Sequence, residues 1–207
     1  MRVAIVGGTG PFGSALARRL REIPDYHVVI GSRDAERAAA IAAELGVAGA
    51  TNEDAARSAD LVVLATKAGA TLETARALRA AIGLTPVLSV ASELRFTPAG
   101  VLPCEEATSL AERVQGVLDG PVVAGLHSLA ASSLGGTAPP DEDAFVCGDD
   151  EQAKALALEL AEQVTAGRAV DAGPLAGARA LEGLTAVLVS VNKRYKAHAG
   201  LKVTGLE

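Results

Sequence analysis

Short apolar, β-branched runs alternate along this chain with longer segments rich in Ala, Leu, Arg and Glu. The apolar runs predict strands over 2–6, 27–31, 61–65, 86–90, 122–124, 144–147 and 169–171, while the longer segments predict helices over 13–22, 35–45, 53–58, 72–81, 106–118, 150–164 and 178–196. Strand and helix in turn is the pattern of a parallel sheet covered by helices on both faces. The early strands are almost wholly apolar, as strands buried on both sides must be. Asp34 stands where it caps the helix carrying Glu36 and Arg37, and Asp149 or Asp150 caps the helix that follows. The stretch 128–142 carries Gly135-Gly136 and Pro139-Pro140 and reads as a loop.

The first predicted strand runs into Gly8-Thr9-Gly10-Pro11-Phe12-Gly13 and then into a helix. Strand, glycine turn and helix in that order form a dinucleotide-binding fingerprint, since the turn lets backbone approach a pyrophosphate that rests on free N–H groups at the helix start. Gly8 is expected to make the tight turn, Gly10 to admit the pyrophosphate and Gly13 to let helix pack on strand. Thr9 offers a hydroxyl to phosphate. Pro11 suits a first helical turn, where its missing N–H costs nothing, and Phe12 is either core or a cofactor contact. The predicted fold is therefore α/β, a Rossmann-type doubly wound, mainly parallel sheet with a small C-terminal α/β lobe. Residues 1–126 would form the dinucleotide domain and 127–207 the lobe completing the substrate cleft.

The second predicted strand ends at Gly31-Ser32-Arg33, with Arg37 one helical turn on. An NAD-binding chain carries a carboxylate here to accept from the ribose 2′-hydroxyl. A hydroxyl and two guanidinium groups instead match a 2′-phosphate. Two hydrogen bonds to charge, at about 1.5–3 kcal/mol each, favour NADP over NAD by about two to four powers of ten.

Composition narrows the function classes. The net charge is −6, which argues against a nucleic-acid partner, and 49% hydrophobic content supports a folded core. No apolar run approaches the ~20 residues of a membrane span. The start of the chain has no signal-peptide pattern, so a cytoplasmic location is expected. The two cysteines, Cys104 and Cys147, are far apart and lack metal-ligand spacing, so they read as reduced thiols and no metal site is expected. The apolar stretch 184–191 is core or part of a homodimer interface, and a homodimer is the expected assembly.

With these residues in place the chain resembles the NADPH-dependent coenzyme F-420 reductase family, and its ending 192–200 looks like that of an actinobacterial branch. The resemblance runs from the opening 2–13 through Gly31-Ser32-Arg33, Asn52-Glu53-Asp54-Ala55 and Cys147-Gly148-Asp149-Asp150 to Asp171-Ala172-Gly173-Pro174-Leu175. It implies direct hydride transfer between NADP(H) and the 8-hydroxy-5-deazaflavin of coenzyme F-420. It also implies that Thr9 to Phe12, Ser32, Arg33, Arg37, Thr66, Lys67 and Ala68 contact NADP. Ser89, Val90, His127 and Leu175 would border the deazaflavin, and Ala131 is counted among the cofactor contacts. His127 ends a predicted strand facing the cleft and is the expected catalytic side chain, donating from a neutral imidazole. Three cations, Lys193, Arg194 and Lys196, read as a solvated helix end or as partners of an anionic extension of the coenzyme. The same residues also suit an NADPH-dependent reductase of a ketone, an imine or ferric iron, or a non-catalytic NADP-sensing protein.

Overall fold

A computed structural model describes residues 1–206. The elements in chain order are β1 (Arg2–Val6), α1 (Pro11–Leu20), β2 (His27–Ser32), α2 (Ala35–Leu45), β3 (Ala48–Thr51), α3 (Asn52–Ala56), β4 (Leu61–Leu64), α4 (Ala68–Ile82) and β5 (Val87–Ser89). They continue as β6 (Leu94–Thr97), β7 (Gly100–Pro103), α5 (Leu110–Gln115), β8 (Val122–Gly125), α6 (Ala131–Leu134), β9 (Ala144–Gly148), α7 (Glu151–Val164), β10 (Ala169–Asp171), a 3-10 turn (Leu175–Gly177) and α8 (Ala178–Tyr195).

One eight-stranded sheet holds the chain together, in the order β10-β9-β8-β5-β4-β1-β2-β3. All its pairings are parallel except β8 with β9. Strand order turns back between β1 and β4, the point at which a doubly wound sheet opens a crevice beyond its carboxyl ends. Core side chains from α1, α2 and α7 pack on one face of the sheet. Those from α3, α4, α5 and α8 pack on the other. The segment 127–207 supplies β9 and β10 to this same sheet, together with α6, α7 and α8.

Local chemistry explains most boundaries. Asp34 accepts from Arg37 N at 3.1 Å and Asp150 from Ala153 N at 2.8 Å, so α2 and α7 start where their caps stand. Asp149 does not cap α7; it accepts from Leu175 N at 3.0 Å. α5 is shorter than its sequence pattern suggests, because Ser109 and Glu112 form a reciprocal capping box and Gly116 ends the helix. α1 begins at Pro11, its first helical position.

The stretch 128–142 is a loop that contains one helical turn, α6. The Arg19 guanidinium holds it to α1, with Nη2 facing the carbonyls of Leu134, Gly136 and Ala138 at 3.0, 2.8 and 2.9 Å. The chain end is bound as well. Asp143 accepts from Arg168 Nη2 at 2.7 Å and from Val203 N at 2.8 Å, and its carboxyl is held down to about 2 by the Arg168 side chain.

Candidate functional site

The turn after β1 is built on close approach. Gly7 has φ +75°, so the left-handed residue of the turn is Gly7 and not Gly8. Gly8 has a different duty. A Cβ there would fall 2.6 Å from Ile30 Cβ and 2.7 Å from the Ile5 carbonyl. Gly13 lets α1 sit directly on the turn, since its Cβ would fall 2.7 Å from Gly8 Cα. Gly10 is the N-cap of α1, which has neither a side-chain cap nor an acidic residue in its first turn. Its first N–H groups are thus left for an anion.

Two cavities lie near this turn: Asn52, which accepts from Gly7 N, lines one, and Phe12 lines the other. The first, of about 440 Å³, is lined by Ser32 and Arg33 at the end of β2, by residues 51–54, and by Glu73, Thr74 and Leu78 of α4. Ser32 is buried, and its Oγ accepts from Asp34 N at 3.2 Å, which leaves its O–H free to donate. Arg33 and Arg37 are exposed, and neither makes an ion pair among the described residues. Glu53 is engaged by Arg57, and Asp54 accepts from the Thr51 hydroxyl at 2.7 Å.

The second cavity has a volume of about 210 Å³. Phe12, Thr66, Val90, Leu126, Leu129 and His127 line it, and so do Ser92 and Thr185. Phe12 therefore faces this cavity as well as packing on the core. His127 is 5% exposed, and neither ring nitrogen has a hydrogen-bond partner in the protein. Burial lowers its pKa to about 4, a shift the neighbouring Ala91 backbone offsets slightly. The imidazole is thus neutral at ordinary pH and has one N–H to give. Leu126 just before it is fully buried at φ +63°, a conformation that costs of order 1–3 kcal/mol. This kink lies between β8 and His127. The His127 carbonyl accepts from the Thr185 hydroxyl at 3.0 Å, and Thr185 meets Ser92 Oγ at 2.7 Å.

The expected residues divide accordingly. Thr9, Gly10, Pro11 and Gly13 share the turn with Gly8. Ser32 and Arg33 line the larger cavity, with Arg37 nearby in the first turn of α2. Phe12, Thr66, Val90 and His127 line the smaller one. Lys67 is the N-cap of α4 and Ala68 its first residue. Ser89 is fully buried at the end of β5, and its hydroxyl has no partner. Ala131 starts α6 and lines neither cavity. Leu175 is brought to neither: it packs in the core with Ala111, Val114 and Cys147.

Two contributors, Ser92 and Thr185, escaped the sequence reading. The available signal was Glu182 and Thr185, two polar residues three apart in an apolar helix. Glu182 caps α5 through Leu110 N and Ala111 N, both at 3.1 Å, and Thr185 faces the cleft. Cys147 is no reactive thiol, since burial pushes it up to about 11.

Known proteins carry the same pattern. Residues 2–93 match the family described as NADP oxidoreductase, coenzyme F-420-dependent. The F-420-dependent NADP reductase of Methanocaldococcus jannaschii is 33% identical, with all of both chains covered. That of Methanothermobacter thermautotrophicus is 34% identical, covering 100% of this chain and 96% of the relative. A crystal structure of a candidate F-420-dependent NADP reductase from Arthrobacter sp. FB24 superposes with a TM-score of 0.83 at 26% identity, over 99% of each chain. By full-length similarity to these relatives, the chain belongs to the F-420-dependent NADP reductase family.

Proposed function

We propose that this protein transfers a hydride between NADP(H) and coenzyme F-420. The observation that carries this reading is the two-sided cleft. A cavity with unpaired Arg33 is tied to the glycine turn through Asn52, and a second cavity with unpartnered His127 is lined by Phe12 of the same turn. When bound, the nicotinamide and the deazaflavin supply the redox chemistry, with the hydride passing between nicotinamide C4 and deazaflavin C5. The chain's part is to bind, orient and dry the site.

The turn 7–13 and the start of α1 would hold the pyrophosphate, while Ser32, Arg33 and Arg37 would hold the 2′-phosphate. Thr66, Lys67 and Ala68 would run along the cofactor edge. Val90, Phe12 and Leu129 would wall the ring site, while Ser89, buried at the end of β5, and Ala131, the first residue of α6, line neither cavity. His127, neutral until about pH 4, would donate a hydrogen bond to a ring carbonyl or to the nicotinamide amide; at neutral pH it is no proton donor. In this reading residues 1–126 form the NADP-binding part and 127–207 complete the cleft.

Adding the protein to NADPH and oxidised coenzyme F-420 should bleach the deazaflavin absorbance, with NADH a poor substitute. Binding of NADPH without bleaching, or turnover only with a ketone, imine or ferric acceptor, would reject the reading. The assembly proposed is a homodimer in the cytoplasm. Val187 on α8 and Phe96 on the β6–β7 hairpin, 56% and 76% exposed, stand on adjoining elements and suit burial against a second copy. Sedimentation at the mass of one chain would refute the dimer, and fractionation of cells would test the location. Among the described residues, no helix is long and apolar enough to cross a membrane.

A further inference from the structure

Asn52 has no assigned duty beyond its place in a family motif, yet it sits where the phosphate turn and the larger cavity meet. It is 8% exposed and is the first residue of α3, just beyond β3. Its Oδ1 accepts from Gly7 N at 3.2 Å, so the amide orientation is set by a donor that needs an acceptor. Gly31 makes room for it: a Cβ there would fall 2.7 Å from Asn52 Oδ1 and 3.0 Å from its Cα. The Gly31 carbonyl in turn accepts from Gly8 N at 3.0 Å. Two successive N–H groups of the turn are therefore held from the ends of β2 and β3. The other half of the carboxamide is free. Asn52 lines the cavity shared with Ser32 and Arg33, and its Nδ2 donates to no acceptor among the described residues.

We infer that Asn52 is a positioning and specificity residue that reads the ribose 2′-phosphate through Nδ2 while fixing the phosphate turn through Oδ1. The inference rests on the NADP reading given above and deepens it. One planar amide then serves both ends of the adenosine diphosphate. It braces Gly7 at the pyrophosphate and faces the 2′-position beside Ser32 and Arg33. The ligand class is a ribose carrying a 2′-phosphate monoester. Asn52 Nδ2 donates to none of the carboxylates lining this cavity: Glu53 is engaged by Arg57, Asp54 by the Thr51 hydroxyl, and Glu73 makes no hydrogen bond to Asn52 among the described residues.

The test compares 2′,5′-ADP with 5′-AMP by calorimetric titration of the full chain, since these probes share the adenosine 5′-monophosphate and differ only in the 2′-phosphate. Asn52→Ala should lose affinity for 2′,5′-ADP about ten- to a hundredfold more than for 5′-AMP, the value of one hydrogen bond to a charged group. Equal losses for both probes would mean that Asn52 only shapes the turn, and would overturn the inference. Asn52→Asp keeps an acceptor for Gly7 and removes the N–H pair, so it guards against a folding failure. Its 5′-AMP affinity should persist while its preference for 2′,5′-ADP disappears; a retained preference would again overturn the inference. If the unaltered protein shows no preference for 2′,5′-ADP, the NADP reading itself fails, a result distinct from either variant outcome.

Discussion

Replacing His127 by Gln should flatten the acid limb of stability. The native imidazole is buried and titrates at about 4, whereas the ordinary value is 6.5. Between those values the unfolded chain binds a proton that the folded chain refuses. The group's contribution is therefore present above the unfolded value and is lost as pH falls towards the folded one. Taking both pKa values, the unaltered protein should lose about 2 kcal/mol through this group between about pH 7 and about pH 4.5. Glu142 and Glu182 act with the opposite sign, because burial raises both. They are common to both proteins, so the difference between the two curves isolates His127. Urea unfolding of the ligand-free protein and of His127→Gln across that range measures it. Parallel curves would show that the imidazole is not held neutral in the cleft and would remove the basis for its role as a neutral donor.

Other consequences concern the cofactor side. Arg33→Ala should raise the KM for NADPH by about ten- to a hundredfold and barely change that for NADH, from the loss of a charged hydrogen bond; steady-state kinetics with both nucleotides checks this, and equal effects would refute the 2′-phosphate assignment. Gly8→Ala should abolish nucleotide binding and lower stability, because the added Cβ meets the Ile5 carbonyl and the Ile30 side chain at 2.7 and 2.6 Å and backbone must move; a variant with unchanged melting temperature and nucleotide affinity would show that the turn is not packed this closely.

How much of this was legible in the sequence depends on what each residue type reveals. The run Val3-Ala4-Ile5-Val6 followed by glycines announces β1, the turn and α1, since apolar strand and glycine turn are both local signals. Asp34 and Asp150 mark their helices because capping is local too. β3 was missed because Ala48-Gly49-Ala50 lacks β-branched residues. It is a strand because α2 lies close over it, with Gly49 so near the Ala38 carbonyl that a Cβ would fall 2.6 Å away. The β6–β7 hairpin was missed because its strands are short and exposed, and split by Pro98.

Most residues expected at the candidate site fall at the carboxyl ends of β1, β2, β4, β5 and β8, because a parallel strand followed by a loop is itself a local signal. Leu175 is the instructive exception. β9 runs antiparallel to β8 and β10 runs parallel to β9, so the chain beyond Asp171 heads back towards the start of β8. Gly173 O thus meets Gly148 N, level with Val123, and Leu175 ends in the core. Nothing in an apolar run states which way its strand will point. Ser92 and Thr185 were hidden for a related reason: they meet only because α8 returns across the sheet to the cleft.

The most direct test of direct hydride transfer is a single turnover with NADPH deuterated at both C4 positions and oxidised coenzyme F-420 in ordinary water. Mass spectrometry of the reduced deazaflavin should find one deuterium, at C5. A reduced coenzyme carrying only solvent hydrogen at C5 would contradict transfer between two rings held together in this cleft.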